Sequence, residues 1–570
     1  MALAFSYEEC RALIENFARD VPAMLARHPR TADLALRMEK LGLSTCLAAR
    51  FSVAIVGQMR VGKSTLLNAL IGRDLAPTGV NETTATVNWF RPDPHPGTQA
   101  SLAGVFRVHD RDGGEEDFPL DRIGDWLGRG ECAQKTRRID FYADTPFLRR
   151  VDLIDTPGLR SVIETHQDAA MAFLEERLEN ESITQTNRAD AIIYAINPVA
   201  RETDSDMLAL FGDKTRLPGA AVWNSLAVVQ KWEHLSGDPL EEIQKKCARL
   251  RRQLDGKVAA VISTSGLLAR LTAKLDESVW DAIARLAQAP ARLLDDLLED
   301  AAFFLDDPPG VPVDAMGRAA LKERVPWPCL RLLLLSARSR GWRDAETVRA
   351  GARAASGIDE LNRLLDQRFF ALSSLIKVGS VMRKAVGPCH IAMLRLRAQE
   401  DDRRAMLDEG KRIIERLAGR TDPSEDDIGR ALDFIRRSLP AVETDLTLSA
   451  DIQIRLERSL QAAHASFAIL EGDVEALDVL ASLPPHTLDS NEISRLRALF
   501  GVDGPNPSQR LGISGEIAVL IDCAETFLEE CRSLLRRSPS IARPVYLLAC
   551  DRLEQLANHL DAIAESALRG

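Results

Sequence analysis

The stretch Phe51-Ser-Val-Ala-Ile-Val-Gly57-Gln-Met-Arg-Val-Gly62-Lys63-Ser64-Thr65 decides the reading of this chain. An apolar, β-branched run enters G-x-x-x-x-G-K-S, and Leu66-Leu67-Asn68-Ala69-Leu70 follows as an amphipathic helix. Strand, glycine-rich turn and helix in that order form a phosphate-binding loop. The glycines let the backbone curl so that its N–H groups point at the β- and γ-phosphates. Lys63 adds positive charge to the same oxygens, and Ser64 can ligate Mg²⁺. Gly57, Gln58, Met59, Arg60, Val61, Gly62, Lys63, Ser64 and Thr65 are therefore expected to cradle a nucleoside triphosphate.

The flanking sequence extends this into an α/β domain. Strand candidates recur at Val53–Val56, Thr86–Phe90, Ile139–Tyr142, Val151–Ile154, Ala191–Ile196, Leu226–Val229 and Ala259–Ile262, alternating with helical patterns. The proline-bearing segment Arg91 to Thr98 reads as a loop or small insertion. Before Phe51, Leu13, Phe17, Val21 and Leu25 recur at helical spacing. After Gly266 the signal is helical to the end, with turns at Pro308-Pro309-Gly310, Pro484-Pro485, Gly501 to Pro507 and Ser538 to Pro544. Ser424 before Glu425, Asp426 and Asp427 resembles a capping box, and Ile428, Leu432, Ile435 and Leu439 then form one face. The division expected is residues 1–49 as N-terminal helices, 50–375 as the nucleotide domain with a helical insertion at about 267–355, and 376–570 as a helical bundle.

Bulk properties narrow the function. At 570 residues the chain exceeds one core, and a charged fraction of 28% is that of an ordinary soluble protein. The formal net charge of -11 argues against nucleic acid, which selects a strong basic field. The nine cysteines are scattered without a C-x-x-C pair, a pattern suited to a reducing cytosol. The N-terminus lacks a basic region followed by an apolar core, so no signal peptide is evident. No apolar run reaches the roughly 18 residues of a spanning helix. Any membrane contact is expected to be peripheral.

Four further elements specify the nucleotide. Thr84, in Leu75-Ala-Pro-Thr-Gly-Val-Asn-Glu-Thr-Thr84, stands where a loop threonine completes Mg²⁺ coordination and senses the γ-phosphate. Thr83 is its rival, and a plain Thr-rich surface loop is the alternative. Val151-Asp-Leu-Ile-Asp155-Thr-Pro-Gly158 is an apolar strand ending in D-x-x-G. Asp155 would hold Mg²⁺ through a water, and the Gly158 N–H would reach the γ-phosphate, so Leu159 to Asp168 should respond to hydrolysis. Gln230-Lys231-Trp232-Glu233 follows a strand where a GTPase carries N/T-K-x-D. The Lys231 stem would pack on the purine, and Glu233 would accept from guanine N1 and the 2-amino group. Thr264 and Ser265 end a further strand and can offer backbone N–H groups to the guanine carbonyl. Arg60 within the loop reads either as an arginine finger acting in cis or as a solvated side chain.

With these elements in order, the chain resembles the dynamin superfamily of large GTPases, especially bacterial dynamin-like proteins of the actinobacterial type. The resemblance runs from about Leu43 to Leu375. It is carried by G-Q-M-R-V-G-K-S-T-L-L-N-A-L, L-A-P-T-G-V-N-E-T-T-A, Asp144-Thr-Pro-Phe-Leu148 leading into V-D-L-I-D-T-P-G-L, Ala189 to Ile196, and Ser265-Gly-Leu-Leu-Ala269. It implies a P-loop GTPase domain with a mixed, mostly parallel sheet, and a helical neck and trunk built from both termini. It also implies Mg²⁺-dependent GTP hydrolysis, self-association through the GTPase domain, pairing with another dynamin-like protein, and remodelling or tethering of membranes from the inner face of the cytoplasmic membrane. Met59 and Arg60 depart from the Gln and Ser that dynamins carry in the loop. Arg60 instead resembles the loop arginine of guanylate-binding proteins and atlastins. Leu499 to Val502 and the basic turn Arg536 to Arg543 are the membrane-contact candidates, each also readable as a buried helix end or solvated loop.

Lys63, Arg60, Thr84 and Gly158 are the expected catalytic set; Ser64, Thr84 and Asp155 the metal set; Lys231, Glu233, Thr264 and Ser265 the base set. A GTP-switched scaffold that binds proteins without touching lipid is the alternative. A ribosome-assembly GTPase lacks the basic RNA-binding appendage it needs.

Overall fold

The computed structural model describes residues 7–57, 60–77, 86–95, 101–110, 112–127, 136–156, 189–198, 224–235, 238–254, 257–306, 308–370, 372–419, 424–484, 486–504 and 506–569. The chain divides into two compact units, one formed by residues 50–376 and the other by residues 1–49 together with 377–570.

The first unit is built on a nine-stranded sheet. Its strands are β1 (Ser52–Val56), β2 (Val87–Pro92), β3 (Val105–Asp110), β4 (Glu115–Pro119), β5 (Thr136–Ala143), β6 (Asp152–Asp155), β7 (Ala191–Ile196), β8 (Ser225–Val229) and β9 (Ala260–Ser263). They run in the order β4-β3-β5-β2-β6-β1-β7-β8-β9. From β6 through β9 every neighbour pair is parallel. β2 is antiparallel to β6 and parallel to β5, and the β3–β4 hairpin closes that edge antiparallel. The sheet is thus mixed and mostly parallel.

The central strands are apolar on both sides because both faces are covered. Ala54, Val56, Ile154 and Val229 pack in one core with the helices Pro239–Gln253, Glu277–Ala287 and Trp327–Arg340. Val53, Ile55, Val228 and Ile262 face the other core, with the helix Lys63–Ile71 and Phe369. Covered strands of this kind read as near-continuous hydrophobic runs, as β1 and β7 do.

The hairpin β3–β4 was not anticipated. Val105, Phe106 and Val108 belong to a strand, while Glu115-Glu116-Asp117 of β4 is charged and largely exposed. Its register is held by Arg107, which donates to both carboxylate oxygens of Asp117 at 2.6 and 2.9 Å. β2 also extends through Arg91 and Pro92 into the segment read as a loop.

The second unit is helical among the described residues. Its long helices are Ser373–Ala418, lying in this unit from Lys377 onward, Leu439–Ser482, Ile517–Arg537 and Arg543–Arg569. The N-terminal helix Tyr7–Leu25 turns the buried faces of Phe17, Val21 and Leu25 inward. His28, fully buried just beyond it, meets Ser449 at 3.2 Å and Asp445 at 3.3 Å on Leu439–Ser482. Residues from the two ends of the chain thereby share one bundle.

Candidate functional site

The site lies at the carboxyl ends of the parallel strands, where an open α/β sheet binds its ligands. β1 delivers Gly57, whose backbone approaches β7 so closely that an added Cβ would stand 2.4 Å from the Ala195 carbonyl oxygen. Gly62 has φ 103° and caps the helix Lys63–Ile71, a left-handed conformation suited to glycine. Arg60 is also left-handed, with φ 59°, and its side chain is exposed at the loop. A non-glycine residue held there stores backbone strain of the kind found at ligand loops.

Lys63 is buried, and its Nζ donates to the Gly57 carbonyl at 3.2 Å. Burial pushes its ammonium below the ordinary lysine value, opposed by the charge of Asp155. Asp155 ends β6, and its Oδ2 accepts from the Ser64 hydroxyl at 3.0 Å. Burial raises its carboxyl above the usual carboxylate range; Lys63 and the Ser64 hydrogen bond act against that rise. Asp155 Oδ1 is buried with no hydrogen-bond partner among the described residues. A buried carboxylate with one oxygen unsatisfied, beside a serine hydroxyl, fits a hydrated Mg²⁺, which takes one or two protein oxygens plus phosphate and water.

The residues expected to meet the base follow β8 and β9. Lys231 has φ 58°, and its stem runs past Gly62, with Cε 3.7 Å from where a Gly62 Cβ would lie. Glu233 sits in the short helical turn Trp232–His234, is 4% exposed, and has Oε2 unpartnered. The thiol of Cys329 is raised well above its ordinary value by burial and then by the Glu233 charge. The Trp232–His234 turn packs against the helix Trp327–Arg340 that carries Cys329. Thr264 is fully buried with its hydroxyl unpartnered, while its N–H donates to the Val229 carbonyl at 2.9 Å. The Ser265 hydroxyl accepts from the Leu268 N–H at 3.1 Å as the N-cap of Gly266–Lys274. Gly266 packs closely on the phosphate-loop helix, where a Cβ would come 3.0 Å from the Leu66 backbone.

Gly57, Arg60, Val61, Gly62, Lys63, Ser64, Thr65 and Asp155 are thus gathered at one sheet edge with Lys231, Thr264 and Ser265. Gln58, Met59, Thr84 and Gly158, together with Thr83 and Leu159 to Asp168, lie outside the described residues. Two buried residues were not in the expected site set. Gln230 Oε1 accepts from the Gly266 N–H at 3.4 Å, and its Cβ comes within 3.8 Å of the Gly62 Cβ position, so it ties the phosphate loop to the base loop. Asn68 donates to the Ala76 carbonyl at 2.9 Å and accepts from the Leu75 and Ala76 N–H groups. It anchors the chain leading toward Thr84. An amide inside the otherwise apolar face of Lys63–Ile71 is the signal that marks it.

Of the membrane-contact candidates, Leu499 and Phe500 are buried in the core around Cys531, whereas Arg536, Arg537 and Arg543 are exposed. Among the described residues no helix is long and apolar enough to cross a membrane.

The fold is that of a P-loop domain with a mixed, mostly parallel sheet, followed by a helical region. Residues 53–216 match the profile of the Dynamin family, so the chain carries a dynamin-family domain, a domain type with GTPase activity in general. Bacterial dynamin-like proteins are among its relatives. It is 26% identical over 374 residues to the isoniazid-induced protein IniC of Mycobacterium tuberculosis, covering 64% of this chain and 71% of that protein. It is 29% identical over 221 residues to dynamin-like protein 2 of Campylobacter jejuni, covering 37% of this chain and 31% of that protein. A solved structure described as an oligomerised bacterial dynamin pair, with a mechanism for long-range sensing and tethering of membranes, aligns over 96% of this chain and 86% of its own at 14% identity. Its TM-score is 0.33.

Proposed function

We propose that this protein is a dynamin-like mechanochemical GTPase that hydrolyses Mg·GTP, dimerises through its GTPase domain, and remodels or tethers membranes. The observation that carries the nucleotide part is buried Lys63 and Asp155 beside the Ser64 hydroxyl, with one Asp155 oxygen unsatisfied among the described residues, set behind the glycine loop. In this reading Lys63 and the amides of Gly57 to Thr65 hold the phosphates. Ser64 and Thr84 hold Mg²⁺, Asp155 orders its water shell, and Gly158 senses the γ-phosphate. The metal, when bound, neutralises charge on the β- and γ-oxygens. In the same reading Arg60 reaches the bridging oxygen from the loop. Lys231 and Glu233, with Thr264 and Ser265, select guanine.

The membrane part rests on the dynamin-family domain and its relatives. The protein would act from the cytoplasm, peripheral to the inner face of the cell membrane, with residues 1–49 and 376–570 as neck and trunk. A paired dynamin-like protein is its expected partner. The second reading, a GTP-switched scaffold that binds proteins and not lipid, is favoured by the net charge of -11.

Turnover of GTP and ATP across a protein concentration series, with Lys63→Ala as the blank, tests the first reading. GTP-specific activity should rise with concentration and vanish in the variant. Flat turnover, or equal use of ATP, removes self-stimulation. Co-sedimentation with liposomes in a GTP analogue separates the two readings, since a scaffold stays in the supernatant.

A further inference from the structure

The helical unit carries an apolar face that nothing among the described residues covers. Ser373–Ala418 and Leu439–Ser482 run antiparallel: Arg403 donates to Asp445 at 2.7 Å, Gln453 donates to Glu400 at 3.3 Å, and Phe434 packs on Gly410. Between them lies Glu425–Asp433, capped by Ser424, whose hydroxyl accepts from the Asp427 N–H at 3.2 Å. Ala431 is its only buried residue, and Ala431 and Phe434 turn toward the hairpin. Ile428, Leu432 and Ile435 point elsewhere, exposed by 40%, 44% and 43%. Their spacing places them in one stripe along two turns.

The charges beside the stripe identify its occupant. Glu425 and Arg436 stand at opposite ends of it. Counting about 100° per residue through Glu425–Asp433 and somewhat less through the π-helical Phe434–Ser438, they lie within about 40° of one another around the axis, on the same flank. Both are exposed, and neither makes an ion pair among the described residues. Glu425 also offsets the helix dipole, but Arg436 has no such role, because the helical path continues through Phe434–Ser438 into Leu439–Ser482. A two-fold rotation that lays one stripe on another antiparallel keeps each flank on its own side. It brings Glu425 of one copy to Arg436 of the other, twice over, and closes apolar on apolar. That is the self-complementarity of an isologous interface. An anionic lipid surface is a poorer match, since Glu425, Asp426 and Asp427 crowd one end of the stripe.

We propose that Ile428, Leu432 and Ile435 form a homotypic interface, pairing two copies of this chain antiparallel through Glu425 and Arg436. The contact is small, in the class of transient interfaces. It is separate from any pairing of nucleotide domains and needs no nucleotide.

Sedimentation velocity of the full chain without nucleotide, over a concentration series, tests it. The parent should show reversible dimerisation. Glu425→Arg alone and Arg436→Glu alone should each weaken it at least tenfold, because each sets like charges opposite one another at both ends. An equimolar mixture of the two variants should restore it, since the mixed pair meets opposite charges at both ends. Unchanged helicity and unchanged GTP turnover at low concentration will show that the variants are folded. A parent that stays monomeric, variants that dimerise like the parent, or a mixture that fails to recover each overturns the proposal. So does Leu432→Glu losing vesicle flotation with its sedimentation unaltered, which assigns the stripe to lipid.

Discussion

At the scale of single residues, the nucleotide edge is held by steric and electrostatic constraints that make definite demands. Gly57 stands where any Cβ meets the Ala195 carbonyl at 2.4 Å and Val61 Cγ1 at 3.2 Å. A strand carbonyl in the middle of the sheet cannot retreat, so Gly57→Ala must push the phosphate loop outward. Such overpacking costs about 1–3 kcal/mol. Nucleotide affinity should fall at least tenfold, read by titration of a fluorescent GTP analogue. Wild-type affinity in this variant would contradict the close approach. The Asp155 carboxyl is raised by burial, and its sign sets a pH dependence. A carboxyl raised in the fold favours the empty protein at low pH; the cost of its buried charge enters as pH rises through the raised value. A bound cation relieves that cost only on the alkaline side. The thermal shift given by Mg·GTP should therefore shrink between about pH 8 and pH 5, and Asp155→Asn should flatten the trend. Equal slopes for parent and variant would remove Asp155 from the metal's surroundings. Lys63, Ser64 and Asp155 were legible because each sits inside a motif whose spacing is fixed by the phosphates. Gln230 and Asn68 were not, because their partners at Gly266 and Ala76 become neighbours only once the strands and the loop are folded.

At the scale of elements, the parallel strands were legible because burial on both faces gives continuous β-branched runs. β4 was not, since an exposed edge strand of Glu, Glu and Asp has no apolar period and depends on Arg107 across the ladder. The helix Gly266–Lys274 shows how an element positions the site. Its Ser265 cap accepts from Leu268, and the Ser265 N–H donates to the Ser356 carbonyl at 2.8 Å. Gly357, with φ 70°, lets that second strand of chain approach, since a Cβ there would lie 2.2 Å from the Ser263 carbonyl. The Ser265 hydroxyl and N–H are thus both committed within the fold, which differs from the expectation that this N–H is offered to a guanine carbonyl. Ser265→Ala should lower unfolding stability by about 1 kcal/mol, the ordinary worth of an N-cap. It should leave the GTP-to-ATP affinity ratio within about twofold, less than the 1.4 kcal/mol that would change it tenfold. A collapse of that ratio without loss of stability would give the hydroxyl a direct role in recognition.

At the scale of the whole molecule, the chain nests one unit within the sequence of another, and the two rest on different physics. The sheet unit is secured by two apolar cores. The helical unit adds a buried ionic group. Asp473 on Leu439–Ser482 accepts from Arg510 and from Arg552, each at 2.7 Å, and all three side chains are buried. Arg510 also donates to the Leu499 carbonyl at 2.8 Å, and Arg552 to the Ile469 carbonyl. The group pins three helices that are distant in sequence, and burial draws the Arg552 guanidinium below its ordinary value while Asp473 resists. Arginine cannot shed its proton at neutral pH, so Asp473→Ala leaves two cations in the interior. Breaking such a buried group from one side costs about 3–5 kcal/mol. Denaturant unfolding of the helical unit should shift by that amount, with GTP-analogue affinity unchanged because Asp473 lies in the other unit. Replacing all three together, Asp473→Leu with Arg510→Met and Arg552→Met, should recover most of the loss, since an apolar core of equal volume is often no less stable. If Asp473→Ala stays within about 0.5 kcal/mol of the parent, the range of an ordinary surface change, the group is not what fixes these helices. If it also loses nucleotide affinity, the two units are coupled in solution, and the trunk's integrity becomes part of how the nucleotide site is held.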